Sequence, residues 1–261
     1  MKANWKYILV VALLMLMAAS FGYAGTTLLA GPKHVLSGSM ASLGDKQFRE
    51  NGDYYTVTAT YPSKTPLWKW YDRRTDARAI EAIEQSLADT IKTFKQSGNF
   101  EALSVEEKKA LELADSRKYT LDISYKPYTS PGYVSYVFLI YMDTGGAHPN
   151  GFYHTITFDK QGDSVPLSGL FKDNVSYLDR ISAVTYSQVL AQLKDKVGGE
   201  LTPEDEDAVR LGTEPSPETL QFFYLDNENL LILIPPYQAA AYAAGSFEAK
   251  IPLDSLKDIL K

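Results

Sequence analysis

Ten residues, Tyr141 to Asn150 (Y-M-D-T-G-G-A-H-P-N), separate two apolar runs with strand character, Val134 to Tyr141 and Phe152 to Phe158. A short connection between such runs commits the chain to strand pairing in hairpin order. Two adjacent glycines suit a backbone that must take conformations a Cβ forbids, or that a neighbour approaches closely. His148 is held behind them by Pro149, so a polar ring sits on a stiffened turn. That is the chemistry of a ligand-facing tip or of a tight connection, and composition does not choose between them.

The flanking sequence extends the pattern. Tyr54 to Tyr61 alternates and is β-branched, which predicts a strand. Asp76 to Gln96 places Ile80, Ile83, Leu87, Ile91 and Phe94 on one helical stripe, and Gly98-Asn99 stops it. Ser104-Val105-Glu106-Glu107 is a capping box opening a helix toward Leu113. Strands are expected over Lys118 to Tyr125, Tyr133 to Met142 and Tyr153 to Asp159, the first two separated by a turn containing Pro127, Pro131 and Gly132. A helix follows from about Val175 to Lys194. Thr202-Pro203-Glu204-Asp205 then opens another, with a cap, a proline in the first turn and acids over the dipole. Phe222 to Leu225 and Asn229 to Ile234 form a hairpin, Phe247 to Ile251 a last strand, and Leu253 to Leu260 a terminal helix. Strands in hairpin order beside segregated helices predict an α+β fold. Its sheet is antiparallel with helices packed on one side, in a small N-terminal lobe and a larger C-terminal lobe.

Gly145-Gly146-Ala147-His148-Pro149-Asn150 resembles the signature of the RsiV/PdaC-type extracytoplasmic domain, found on lysozyme-sensing anti-sigma factors and beside some peptidoglycan deacetylases. Three blocks carry the resemblance. Tyr54 to Gln96 is similar to the family's N-terminal subdomain. The turn continues into T-I-T-F-D (Thr155 to Asp159), Gly162 and P-L-S-G-L-F (Pro166 to Phe171). The third block is Ile234-Pro235-Pro236-Tyr237, Ala241 to Gly245 and Ile251-Pro252-Leu253. The resemblance implies a PdaC-like subdomain over 52–130 and an RsiV-like one over 131–261, preceded by an anchor or signal peptide at 1–30 and a tether at 31–51. Two departures stand beside it. Only Met1 to Lys6 precede the N-terminal apolar run, too few for a sigma-binding segment, and no Asp-Asp-Gly-Pro deacetylase motif occurs.

Lys2 and Lys6 precede an uncharged stretch, Tyr7 to Pro32. It predicts an uncleaved membrane anchor with the body exported, or a signal peptide cut near Ala24. The chain has no cysteine, which removes thiol catalysis, thiolate metal sites and disulfides together. A formal net charge of −6 argues against nucleic acid as a partner. His148, His154 and Asp143 lack a spacing that forces metal ligands to converge. No Gly-x-Ser-x-Gly or persuasive Ser-x-x-Lys run marks a nucleophile. No catalytic residue, metal or cofactor is therefore assigned, and the chain reads as a binding module more than as an enzyme. His148 is expected to hydrogen-bond the Gly-Gly backbone, and His154 to lie on an exposed strand face. The candidate ligand-binding residues are Gly145, Gly146, His148 and Asn150, with Tyr237 and Tyr242 as an amphipathic wall beside them. The expected ligands are an extracellular protein such as a lysozyme, or a peptidoglycan-type glycan. The competing reading is a peptidoglycan-acting enzyme or its accessory, with His148 as acid-base group or metal ligand.

Overall fold

A computed structural model describes residues 44–67, 73–100, 102–110, 118–145 and 148–261. The expected anchor over 1–30, most of the tether, and Gly146 with Ala147 lie outside the described residues. No helix among the described residues is long and apolar enough to cross a membrane.

Five strands, β1 (Asp45–Asn51), β2 (Tyr55–Pro62), β3 (Tyr119–Ser130), β4 (Tyr133–Asp143) and β5 (Asn150–Phe158), form one sheet in sequential order. Helices α1 (Arg73–Gly98) and α2 (Val105–Ala110) lie in the crossover between β2 and β3. That crossover makes β2–β3 a parallel pair, whereas β1–β2, β3–β4 and β4–β5 are antiparallel. After α3 (Tyr177–Val197) and α4 (Pro203–Gly212), a second, antiparallel sheet runs β6 (Phe223–Asp226), β7 (Asn229–Ile234), β8 (Phe247–Pro252). The fold is α+β, as the sequence pattern predicts.

Side-chain alternation sets the layers. Val134, Tyr136, Phe138 and Ile140 of β4 face Ile80, Ile83, Leu87 and Phe94 of α1. Val137 of the opposite face, with Tyr128, meets Tyr224, Leu231 and Leu233 of the second sheet. The far side of that sheet packs Leu230, Ile232 and Ala249 against Ile181, Val189 and Leu193 of α3. The order is helix, sheet, sheet, helix. Where the sheets meet, the Ser135 and Thr155 hydroxyls accept from the Leu225 and Phe223 amides (3.0 and 3.2 Å), satisfying the donors along the free edge of β6. The capping box expected at Ser104 forms, and the cap expected at Thr202 closes as a second one. Ser104 and Glu107 exchange bonds of 2.8 and 3.2 Å, as do Thr202 and Asp205 at 3.0 and 3.2 Å.

Three local expectations are corrected. Residues 45–51, read as tether, are the edge strand β1; its polarity hides it, because an edge strand needs charge as much as burial. The turn expected around Pro127 is interior to β3, which runs on to Ser130. Pro127 is tolerated because the β2–β3 ladder ends at Ala59↔Ile123, so no partner asks for its missing N–H there. The terminal helix shortens to a 3-10 turn over Leu253–Leu256, after which the chain bridges back from Leu260 to Phe171.

Candidate functional site

The turn after β4 is built locally. Gly145 takes φ +79°, which a side chain rarely adopts, and its N–H donates to the Asp143 carboxylate (2.9 Å). His148 and Pro149 return the chain to Asn150, which opens β5 opposite Met142. Gly146 lies outside the described residues.

Tyr237 and Tyr242 reach this turn from the connector between β7 and β8. Pro235 and Pro236 end β7, and Tyr237 follows with φ +71°. The next residue holds that conformation: the Gln238 side-chain amide donates to the carbonyls of Gly212 and Thr219 (2.8 Å each). Gly212 has no Cβ, and one there would lie 2.3 Å from the Gln238 carbonyl oxygen. Tyr242 opens a 3-10 turn (Tyr242–Ala244) tied down by Lys196 of α3, whose ammonium donates to the carbonyls of Ala244 (2.6 Å) and Ser246 (2.9 Å).

These elements bring three rings together. The His148 imidazole stacks on Tyr242, centroids 4.1 Å apart and planes 15° apart, and Tyr237 lies 5.2 Å from Tyr242. His148 Nδ1 lies 3.0 Å from the Pro149 carbonyl, and Nε2 lies 3.1 Å from Tyr237 Oη. A carbonyl only accepts, so Nδ1 carries the proton and the Tyr237 hydroxyl donates to Nε2. Tyr242 Oη also donates to the Pro149 carbonyl (3.0 Å), filling its second lone pair. His148 therefore pins the turn through Pro149 and Tyr237; the expected bond to the Gly-Gly backbone falls partly on Gly146, outside the described residues. Burial, then the neighbouring Tyr242, holds the Tyr237 phenol above its ordinary value, so it remains a neutral donor at neutral pH.

Sequence reasoning did not single out Tyr141. It lies on β4 opposite Gly151, which offers no side chain beside it, and its ring is exposed. Burial, Asp143, Asp122 and Tyr242 together raise its phenol, which places it electrostatically beside the same cluster. The signal available in the sequence is position alone: Tyr141 is the last aromatic residue before the turn. Among the described residues no group of three or more His, Asp or Glu is arranged to hold a metal ion.

The connector that carries both tyrosines lies in a recognisable segment. Residues 168–254 match the family model described as "Protein of unknown function (DUF3298)". The DUF3298 match takes in α3, α4, the second sheet and the Tyr237–Tyr242 connector, and leaves His148 outside it. A DUF3298 family protein from Bacteroides fragilis NCTC 9343 superposes with a TM-score of 0.51 at 18% identity, covering 84% of this chain and 92% of that one. One from Pseudomonas aeruginosa PAO1 gives 0.51 at 16% identity, covering 85% and 95%. At such identities the likeness is one of fold, and it extends well beyond the DUF3298 segment. No curated protein matches the chain.

His154 is not on an exposed face. It shares its side of β5 with Ile156 and Phe158, which α1 covers, and its Nε2 lies 2.7 Å from Ser86 Oγ on that helix. Burial pushes the imidazole below its ordinary value. The unfolded chain then binds a proton at a higher pH than the folded one, so stability is full above the unfolded value of ~6.5. It falls as pH drops through that value and levels off below the folded one. Urea midpoints measured from pH ~7 downward should show this loss, and His154→Phe should remove its onset; an unchanged slope in the variant would assign the loss to other groups.

Proposed function

We propose that this chain is a non-catalytic extracytoplasmic recognition module that binds a peptidoglycan-type glycan on the ring shelf of His148, Tyr237 and Tyr242. Tyr237 is the observation that carries the reading: a non-glycine residue at φ +71° whose ring is 45% exposed. Left-handed backbone costs such a residue ~1–2 kcal/mol, and strain of this kind concentrates where a ligand is held. The core does not need the ring. Flat aromatic faces with hydroxyls at their edge complement a pyranose, which offers a C–H face and a rim of hydroxyls. Tyr141 extends the surface beyond the shelf.

The resemblance to the RsiV/PdaC-type domain supports a wall setting. The lysines and apolar stretch before residue 33 support export with an uncleaved anchor, or cleavage near Ala24. Both ring nitrogens of His148 are engaged, by Pro149 and Tyr237, which favours positioning over acid-base work.

Calorimetric titration of the full chain with soluble peptidoglycan fragments, and separately with lysozyme, tests the reading. Glycan binding should weaken about tenfold in Tyr242→Ala and in Tyr237→Ala, from the lost stacking. His148→Ala should in addition lower stability by ~1 kcal/mol, one net hydrogen bond's worth. Binding of lysozyme without any glycan binding, or glycan binding that ignores both tyrosines, would overturn it.

A further inference from the structure

The charged edge strand β1 leaves an opening that neither core fills. A groove of about 810 Å³ runs between α1 and strands β1 and β2, within the range of small-molecule sites. Its floor is Ala59 and Leu87. Phe48 and Tyr61 wall it from the strands, and Ile91 from the helix. The sequence places Ile91 on the core stripe of α1, yet it is only half-buried, because β1 stands away from the helix there. Phe48, at 38% exposed, faces the same space. Half-open apolar side chains from three elements converge on one cavity.

The charges around it are already matched, with one exception. Glu50 takes the Lys95 ammonium on both oxygens (2.5 and 2.6 Å) and accepts from Tyr55 Oη (2.5 Å). Glu84 pairs with Lys46 at 2.7 Å. Both clasps join β1 to α1. Lys92, one turn from Ala88 on the groove side of α1, makes no hydrogen bond or ion pair among the described residues. The groove therefore combines an apolar trough with one uncompensated cation, which selects an apolar ligand carrying a single negative charge.

We propose that this groove binds a single-chain amphipathic anion, with the chemistry of a long-chain carboxylate. Its hydrocarbon lies along Phe48, Tyr61 and Ile91, and its acid head meets Lys92. The site is separate from the ring shelf, and its occupancy does not depend on what the shelf binds.

The test uses the full chain and a palmitic-acid analogue carrying a mid-chain diazirine, irradiated and mapped by mass spectrometry. Covalent label should appear on the peptides holding Phe48, Tyr61 and Ile91 and should be competed away by palmitate. Lys92→Glu, at an exposed position, should reduce it roughly fivefold, the worth of one surface charge pair. Ala88→Trp, also at an exposed position, should block the groove and abolish it, with thermal unfolding of both variants recorded to show that they fold. Label outside the groove, label that persists in both folded variants, or no label at all would overturn the proposal. Equal labelling by the uncharged methyl ester would overturn its anionic part.

Discussion

Truncating Phe158 to alanine should lower the free energy of unfolding by ~3–5 kcal/mol, a large share of the ~5–15 kcal/mol that holds a typical domain together. Phe158 is fully buried where β5 ends, directly opposite Val134 across the β4–β5 ladder. Its ring meets Tyr136 edge-on at 6.3 Å. Alanine would remove that contact and leave a cavity which the surrounding strands, fixed by their ladders, close only in part. Phe152 lies on the same face of the same strand but is 38% exposed, so Phe152→Ala is the control. Its cost should stay below ~1 kcal/mol. Urea denaturation of both variants decides the matter; equal costs would mean that α1 does not cover β5 as described.

Gly212→Ala should cost ~1–3 kcal/mol and weaken ligand binding at the ring shelf together with stability. A Cβ at residue 212 would stand 2.3 Å from the Gln238 carbonyl oxygen and 2.7 Å from Ala239 Cα, both backbone atoms that no side-chain rotation can move. The connector must shift, and it carries Tyr237 and the Gln238 bonds to Gly212 and Thr219. Gly199 gives the contrast. A Cβ there meets nothing, so alanine should be neutral or slightly stabilising through the unfolded state. Melting curves and a glycan titration on the two variants separate these outcomes. A Gly212→Ala protein as stable as the parent would show that the connector packs less closely than described.

Elements stabilised by their own sequence neighbours were legible without coordinates. The capping box at Ser104 and the cap at Thr202 close over three residues, and the stripe of α1 and the alternation of β2 repeat within a turn or a pair of residues. The α+β class followed from the order of those elements. What escaped depends on residues far along the chain. β1 reads as a polar linker because nearly all of it is exposed and the partners of its charges, Lys95 for Glu50 and Glu84 for Lys46, lie 45 and 38 residues away. Pro127 reads as a turn because the point where its neighbouring strand stops is a property of the β2–β3 register. His154 reads as exposed because only the crossover brings Ser86 over it, and the groove beside Ile91 exists only because β1 departs from the helix there.

The ring shelf divides the same way. Each half was visible as a motif, the Gly-Gly-Ala-His turn with its φ-positive Gly145 and the proline-tyrosine connector. Their contact spans 89 residues from His148 to Tyr237 and was not derivable from either motif. Local sequence determined which side chains could form a shelf, because turn chemistry and periodicity act over a few bonds. Tertiary structure alone decided that they meet, because the connector's place is set by the close approach of its backbone to Gly212 and by the grip of Lys196 on the Tyr242 turn.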